Sequence, residues 1–285
     1  ELLELINVPK KILPNVISSS EKIGVVQLES WDDEILISGI AGDQQAALFG
    51  QLCFGPGEVK NTYGTGCFCV MNTGNSPVQS KNKMLTTIAW QLDGETTYAL
   101  EGSVFIGGAL IQWLRDGLNL ISSAEEIEEL AKSVESNGGI TFISALTGLG
   151  APYWDPNAFG AIMGITRGTQ KGHLARAALE AIAMRSREII IEMQKDAGIQ
   201  YQDLKVDGGA CKNNLLMQIQ ADLLNTTVIR PKTTETTALG VAFLAGLASG
   251  FWKNRKELES LWEKEREFVP NKNIQSQNTI SLWQE

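Results

Sequence analysis

Residues 42–51 read Gly-Asp-Gln-Gln-Ala-Ala-Leu-Phe-Gly-Gln and follow an apolar run at Ile35–Ala41. The apolar run has the composition of a β-strand, whereas the small residues after Asp43 favour a helix. An acidic side chain at such a junction lies at the edge of a sheet and beside a helix N-terminus. Ligand-binding groups of α/β proteins are commonly found at this edge. The stretch therefore predicts an α/β fold in which Asp43 is a candidate ligand-contacting acid.

Two glycine-rich segments follow Asp43 along the chain. Residues 61–68 read Asn-Thr-Tyr-Gly-Thr-Gly-Cys-Phe, and residues 207–214 read Asp-Gly-Gly-Ala-Cys-Lys-Asn-Asn. Turns of this kind let a ligand approach the backbone, whose N–H groups can bind phosphate without a basic side chain. The hydroxyl group of Thr65 lies in the first turn. One acid followed by two such turns predicts a phosphoryl-transfer site.

Each of these features also has a purely structural interpretation. An Asp at the start of a helix is most often an N-cap, which stabilises the first turn by about 1 kcal/mol. Glycine pairs most often only allow the backbone to bend. The amides of Gln44 and Gln45 favour the functional interpretation of Asp43, because together they form a polar cluster suited to hydroxyl groups. For Gly107-Gly108, at the start of a predicted helix that contains Gln112, helix packing and ligand binding both stay open.

The overall composition bounds the class of protein. The chain has 285 residues, of which 43% are hydrophobic and 20% charged, and its net charge is −9. These values are typical of a globular protein with a sizeable core, and the negative charge argues against a nucleic-acid partner. Four Cys without zinc-ligand spacing and one His, His173, predict buried thiols in a reducing compartment. Since neither a signal peptide nor a membrane-spanning stretch is recognisable, we expect a cytoplasmic location.

The order of the predicted elements favours one kind of α/β fold. Strands come first, and those at Cys67–Met71, Leu85–Trp90 and Thr97–Leu100 suggest a meander. Helices dominate afterwards, with one more strand at Leu204–Val206. The predicted helices are Val104–Leu114, a segment N-capped by Ser123 with Glu126 at the capping-box position, His173–Asp196, Asn213–Leu224, Thr236–Gly250 and a solvated terminal helix at Lys253–Glu267. This order fits the ribonuclease H-like or actin-like ATPase fold.

Beyond these separate patterns, nearly the whole chain is similar to one family. From Glu1 to about Phe268 it resembles the C-terminal half of the FGGY family of carbohydrate kinases, and most of all the members that act on glycerol. The similarity includes residues 42–51, 61–68, 85–89, 98–102, 112–116, 150–155 and 206–210. The resemblance implies that residues 1–53 are the end of the N-terminal lobe and that residues 54–285 are the C-terminal, nucleotide-binding lobe.

The same resemblance implies an activity and a set of site residues. The activity is the Mg²⁺-dependent transfer of the γ-phosphate of ATP to a terminal hydroxyl of glycerol. Asp43 would be the catalytic base, Asp43 and Gln44 would bind the glycerol hydroxyls, and Phe68 would pack on the glycerol carbons. No residue of this chain is implied as a metal ligand. The implied nucleotide-binding residues are Thr65, Gly108, Gln112, Gly209 and Asn213.

The resemblance also implies partners. The family's N-terminal half carries a further phosphate-binding loop and further glycerol-binding residues that this sequence does not contain. We therefore expect the chain alone to be inactive and to need that lobe, with glycerol and ATP or ADP as ligands and a homo-oligomer for the full-length protein. Two alternatives stay open: a kinase for another polyol or ketose, and a non-catalytic actin-like nucleotide-binding paralogue. Asp43 counts against the paralogue, because a scaffold needs no base beside its nucleotide.

Overall fold

The computed structural model describes residues 1–271 and 274–284. Its strands are β1 (Ser20–Val26), β2 (Ile35–Gly39), β3 (Val59–Tyr63), β4 (Cys67–Gly74), β5 (Leu85–Leu92), β6 (Glu95–Val104), β7 (Thr141–Ile143), β8 (Ala161–Met163), β9 (Asp203–Asp207), β10 (Thr227–Pro231) and β11 (Lys264–Phe268). Its α-helices are α1 (Leu2–Leu5), α2 (Asp43–Gly50), α3 (Gly108–Asp116), α4 (Glu126–Lys132), α5 (Lys171–Ala197), α6 (Asn214–Leu224), α7 (Thr236–Ser249), α8 (Arg255–Glu259) and α9 (Ile274–Gln284). Short 3₁₀ turns lie at Lys10–Ile12 and Gly209–Lys212.

A seven-stranded mixed sheet in the order β11-β10-β9-β3-β4-β6-β5 forms the centre of the protein. The central strand β3 is parallel to β9, and β9 is parallel to β10. The remaining neighbours are antiparallel. An antiparallel set of strands extended by parallel ones through helical crossovers is the ribonuclease H-like arrangement, so the predicted fold class is confirmed.

The predicted meander is wrong in its strand order, because β6 rather than β5 lies beside β4. Strands β5 and β6 are joined by a two-residue turn at Asp93-Gly94, where both residues have positive φ (50° and 80°). Turns of this type twist in the same sense as the flanking strands and close tight hairpins. The connection between β4 and β5 is longer, so the hairpin folds back with β5 at the edge of the sheet.

Helices cover both faces of the sheet and form two hydrophobic clusters. On one face, α5 and α6 pack on inward-facing side chains such as Cys67, Cys69 and Met71 of β4. On the other face, α2 and α7 pack on side chains that include Val70 and Trp90. This alternation along β4 is expected of a strand that is buried on both faces.

Helices α2 and α7 cross in close backbone contact, and a glycine on each helix makes this possible. A Cβ atom at Gly240 would lie 1.8 Å from the carbonyl oxygen of Ala46, and one at Gly50 would lie 2.1 Å from that of Thr236. The ring of Phe49 on α2 then meets Trp90 edge to face, with centroids 5.1 Å apart. The position of α2, which begins at Asp43, is therefore set by contact with α7 and with the sheet.

The first 53 residues pack directly against the rest of the chain. The β1–β2 ribbon is attached to α7, because Ser20 Oγ donates to Leu244 O (2.7 Å) and Ser38 Oγ donates to Ala245 O (3.1 Å). Side chains of α2 share a hydrophobic cluster with strands of the central sheet. The lobe boundary at residue 53 stays a prediction, and the described chain has continuous packing across it.

Most predicted helices are confirmed, and two local predictions are wrong. Helices α5, α6 and α7 begin and end close to the predicted residues, and Gly198 ends α5 in the left-handed conformation. Ser123 does not cap α4, whose N-cap is Glu125. The segment Lys253–Glu267 contains only the short helix α8, followed by β11. Alternating charges suit a solvated edge strand as well as a solvated helix, and pairing with β10 decides between them.

Two further sequence-based expectations concern thiols and membranes. All four cysteines are buried free thiols, as predicted, and burial raises the pKa of Cys53 and of Cys67 to about 12. Within the described ranges, no helix combines the length and the apolar character needed to cross a bilayer.

We predict that Gly240→Ala destabilises the protein by about 1–3 kcal/mol, because the added methyl group overlaps the backbone of α2 and forces the two helices apart. The matched control is Gly24→Ala on β1, where an added Cβ has no atom within 4 Å. Urea unfolding measures both variants. An unchanged unfolding midpoint for Gly240→Ala would contradict the close crossing of α2 and α7.

Candidate active site

Asp43 is the first residue of α2, and its side chain is exposed. Gly42 occupies the N-cap position in an extended conformation, so the interpretation of Asp43 as an N-cap is wrong. Its carboxylate is held by the next residue: Oδ1 accepts from the Gln44 backbone N–H (2.8 Å) and Oδ2 accepts from Gln44 Nε2 (3.1 Å). Each of the two N–H donors of Gln44 thus orients one carboxylate oxygen of Asp43, and the exposed side of the carboxylate stays accessible to a ligand.

The amide of Gln44 connects Asp43 to a buried cation. Its Oε1 accepts a hydrogen bond from Nζ of Lys60, which lies on β3 and is fully buried. Lys60 Nζ also donates to Thr62 Oγ1 (2.8 Å) and to the carbonyl oxygen of Phe68 (3.3 Å). Burial lowers the pKa of Lys60, whereas the charge of Asp207 raises it. Sequence reasoning missed Lys60, since a lysine in a strand gives no signal of burial.

Gln45 faces a second polar group on the same side of the sheet. Its Nε2 lies 3.3 Å from Glu101 Oε2 on β6 and 3.4 Å from Thr87 Oγ1 on β5. Desolvation raises the pKa of the Glu101 carboxyl group, and the positive charge of Lys60 partly offsets this. The half-buried Phe68 lies on β4, directly opposite Thr62 in the ladder. Lys60 therefore joins Gln44 to the backbone of Phe68, since it donates to both, and the glycerol-binding role of these residues stays a prediction.

The hairpin between β3 and β4 is joined to the start of α3. The N–H of Gly108 donates to Gly64 O (2.8 Å), and that of Ala109 donates to Thr65 O (3.0 Å). A Cβ atom at Gly108 would lie only 2.7 Å from Gly64 O, so this close approach requires glycine. Packing therefore explains the glycine at 108, and its role in nucleotide binding stays a prediction.

Free backbone donors lie at the two glycine-rich turns. Within the ranges that the structure describes, the N–H groups of Thr65, Gly209 and Ala210 donate to no other protein group. Gly209 and Ala210 follow Gly208, whose φ of 83° turns the chain sharply after β9. A Cβ atom at Gly209 would have no neighbour within 4 Å. Exposed and unpaired N–H groups of this kind are suited to anionic ligands.

These turns line one cleft of about 450 Å³. All five residues implied in nucleotide binding from the sequence line it, namely Thr65, Gly108, Gln112, Gly209 and Asn213. Asn213 also N-caps α6, since its Oδ1 accepts from Leu216 N (2.8 Å). A larger cavity of about 1010 Å³ lies elsewhere, beside Trp90 and Arg255, and none of the predicted site residues lines it.

Sequence reasoning missed several residues that line the cleft. Ile111 lies one helical turn after Gly108, and the helical period could have revealed it. Lys212 lies in the second glycine-rich segment, and its side chain is exposed. Glu125 and Glu128 come from α4 and its N-cap, and no local pattern places them beside the glycine-rich turns. Glu128 also fixes the neighbouring helix, because it accepts from Asn214 N (2.9 Å).

Strand β3 joins the acid to the cleft. Lys60, which binds Gln44 and Thr62, lies on this strand, and the hairpin that follows carries Thr65. Asp43 and the cleft are therefore attached to the same strand.

A buried hydrogen-bond network holds the end of α2 to the second turn. Asp207, at the end of β9, accepts from Gln51 Nε2 (2.9 Å) and from Thr236 Oγ1 (2.7 Å) through Oδ2. Gln51 follows α2, and Thr236 begins α7. The carboxylate that precedes the second glycine-rich turn thus fixes three elements instead of facing the cleft.

The comparison with protein families defines the class of protein. The profile of the FGGY family of carbohydrate kinases, C-terminal domain, matches residues 59–249. Because this match covers more than half of the chain, the chain belongs to that family, as the resemblance of its sequence motifs implied.

Curated relatives of the chain include several glycerol kinases. The glycerol kinase of Dechloromonas aromatica is 59% identical over 271 residues, which cover 95% of this chain and 54% of the relative. That of Deinococcus radiodurans is 57% identical over 270 residues, with the same two shares. The chain therefore spans about half the length of the curated relatives it matches.

Solved structures agree with this fold over almost the whole chain. The glycerol kinase of Plasmodium falciparum with ADP has a TM-score of 0.91 and 35% identity, covering 99% of this chain and 57% of that one. A xylulose kinase from Lactobacillus acidophilus has a TM-score of 0.85 over 99% of this chain and 58% of its own. At 22% identity, the xylulose kinase shows the fold alone.

We predict that Asp207→Ala lowers the free energy of unfolding by about 1–3 kcal/mol, because the buried Thr236 hydroxyl loses its acceptor and Gln51 Nε2 keeps only the carbonyl oxygen of Val206. Asp203→Ala is the control, since it removes a half-buried carboxyl group from the same strand outside this network. Urea titration monitored by tryptophan fluorescence measures both. Equal losses in the two variants would show that Asp207 does not join α2, β9 and α7.

Proposed function

We propose that this chain is the C-terminal part of a glycerol kinase, which transfers the γ-phosphate of ATP to a terminal hydroxyl of glycerol. One observation carries the proposal: the exposed carboxylate of Asp43 is anchored, through Gln44 and Lys60, to the strand whose hairpin lines the cleft. The identity of 53–59% to glycerol kinases supports glycerol as the acceptor.

Asp43 would act as the base that orients the attacking hydroxyl of glycerol and accepts its proton. Phosphoryl transfer proceeds through a loose transition state, so positioning and charge neutralisation matter more than a strong base. Gln44 Nε2 would donate one N–H to a glycerol hydroxyl, while its other N–H donates to Asp43 Oδ2. The ring of Phe68 would pack against the carbon chain.

ATP would occupy the cleft between the two glycine-rich turns. The N–H groups of Thr65, Gly209 and Ala210 and the Thr65 hydroxyl are suited to the phosphates, since neutral donors there stabilise accumulating negative charge. Gln112 and Asn213 offer amide groups on the cleft wall. Lys212 supplies a positive charge at the same wall.

Mg²⁺ is the metal that such a reaction requires. It binds nucleotides through phosphate oxygens, waters and one or two carboxylates, so a dedicated protein cage is not needed. The described residues contain no group of three acidic, His or Cys side chains that could form such a cage. The exposed carboxylate of Asp43 would lie beside a metal carried by ATP, and that metal would neutralise charge on the transferred phosphate.

We propose that an N-terminal lobe completes this site, because the chain spans about half the length of its curated relatives. We propose that it covers Asp43 and the cleft, that the chain alone does not catalyse the reaction, and that the full-length protein is a cytoplasmic homo-oligomer. The alternatives are a kinase for another polyol or ketose and a non-catalytic nucleotide-binding paralogue. An assay of ADP release by the full-length protein, with glycerol, with xylulose and without acceptor, separates these functions.

We predict that Asp43→Asn in the full-length protein lowers kcat by about 10²–10⁴-fold, because the amide cannot accept the proton of glycerol. ATP binding, measured by calorimetry, persists because Asp43 lies outside the cleft lining. Asp93→Asn is the control, since this exposed turn residue has a positive φ that Asn adopts readily. Substantial turnover by Asp43→Asn would refute its role as the base.

We predict that Gly209→Val raises the KM for ATP by about tenfold, because the side chain takes the space through which phosphate would reach the backbone. We expect little effect on folding, since an added Cβ has no neighbour within 4 Å, and urea unfolding of the variant measures it. Gly24→Val on the distant strand β1 is the matched control with equally open surroundings. A normal KM for ATP in Gly209→Val would remove the second turn from the nucleotide site.

A further inference from the structure

Lys60 is a buried cation without a carboxylate partner in direct contact. Its side chain is fully buried, and within the part of the chain that the structure describes it forms no ion pair. Its three protons go to three neutral oxygens, on Gln44, Thr62 and Phe68. Burying an ammonium group costs stability even when its hydrogen bonds are made. This cost indicates that Lys60 has a role beyond packing.

The chemistry of an ammonium group determines how the amide of Gln44 is oriented. Lysine can only donate, so the atom of Gln44 that faces Lys60 must be the oxygen. The amide nitrogen must then point the other way, where it donates to Asp43 Oδ2 (3.1 Å). The carboxylate of Asp43, which can only accept, favours the same orientation. Without Lys60, the amide oxygen would lose its donor and the side chain could rotate out of its contact with the carboxylate. Lys60 therefore holds Gln44 in the orientation that donates to Asp43.

We propose that Lys60 is a positioning residue of this site and acts on Asp43 through the amide of Gln44. The proposal rests on the proposed function, because it assigns Asp43 the role of base. The remaining two bonds of Lys60, to Thr62 and to the Phe68 carbonyl, fix its ammonium group on β3 and β4. Because Thr62 lies opposite Phe68, the cation is held at the point where the hairpin approaches α2.

Two acidic side chains on neighbouring strands interact with the Lys60 ammonium group in a way that agrees with the positioning role. Asp207 on β9 and Glu101 on β6 both attract the Lys60 ammonium, but each is engaged elsewhere. Asp207 accepts from Gln51 and Thr236, and Glu101 accepts from Gln45. The two acids therefore favour the charged form of Lys60 without competing for its protons. All three N–H donors of Lys60 therefore stay available for the neutral oxygens of Gln44, Thr62 and Phe68.

The test uses Lys60→Met in the full-length protein, together with Gln44→Ala and the double variant. Met keeps an unbranched apolar side chain of nearly the same length and removes the ammonium group with its three donors. We expect Lys60→Met to lower kcat with glycerol by about 10–100-fold, since small misplacement of a catalytic group has this effect. The KM for ATP stays within about twofold, because Lys60 does not line the cleft. When Gln44 is already Ala, adding Lys60→Met should lower kcat by less than about twofold.

The control variant is Lys205→Met. Lys205 lies directly opposite Lys60 on the neighbouring strand and is also largely buried, but it donates to Gln51 O and Leu52 O. The substitution Lys205→Met should leave kcat with glycerol unchanged. A merely structural role of Lys60 predicts that Lys60→Met lowers kcat equally with and without Gln44, and that result would overturn the proposal. So would an unchanged kcat in the folded Lys60→Met variant.

A second variant covers the case in which Lys60→Met fails to fold. Gln44→Glu keeps an acceptor for Lys60, but it removes the donor to Asp43 and places a like charge beside it. Because the donor is lost and the two carboxylates repel each other, kcat with glycerol should fall by about 10–100-fold. An unchanged kcat in Gln44→Glu would overturn the proposal.

The proposed function can fail separately from this inference. If the wild-type protein does not phosphorylate glycerol, the proposed function is wrong and the positioning role falls with it. Thermal unfolding then still tests the contact between Lys60 and Gln44. This contact is supported if the double variant loses a different Tm from the sum of the losses in Lys60→Met and Gln44→Ala. Additive losses would refute the contact.

Discussion

The close crossing of α2 and α7 is the constraint on which the rest of the site depends. Backbone atoms meet where Gly50 and Gly240 lack side chains, so the axis of α2 has little freedom. Helix α7 also holds α2 at both ends, because Thr237 Oγ1 donates to Asp43 O (3.3 Å) and Thr236 shares Asp207 with Gln51. A shift of either helix would therefore move the exposed acid relative to the second glycine-rich turn.

The polar groups beneath α2 include two buried charged side chains, Lys60 and Asp207. Lys60 and Asp207 lie two positions apart on adjacent parallel strands, and each is satisfied by neutral partners. An ion pair in direct contact would satisfy the charges more simply, but it would consume the donors and acceptors that hold Gln44, Gln51 and Thr236. Fully satisfied buried networks fix a unique arrangement of the elements they join. Here the network joins the acid-bearing helix to both strands that precede the cleft.

Sequence patterns predicted the long helices, because α5 combines sustained helical spacing with a terminal glycine, Gly198. They also predicted Asp43 and the two turns as one site, since junction residues and glycines carry local signals. The edge strand β11 and the position of β5 could not be predicted in this way, because pairing partners far along the chain determine them. The same holds for Lys60, whose importance depends on Gln44 approaching from another element. Local sequence indicates which residues can perform chemistry, whereas tertiary contacts determine how they are oriented.

The exposure of Asp43 limits what this part of the protein can do by itself. A carboxylate in water is solvated on its open side, so in the proposed enzyme water would compete with glycerol as the phosphate acceptor. The residues described here orient the carboxylate and provide a cleft, but the acid remains open to solvent. Electrostatic stabilisation becomes strong only when such a site is closed from water. In the proposed enzyme, this chain therefore supplies the geometry of the base and of the nucleotide turns, and closure by the other lobe supplies the dry environment in which they act.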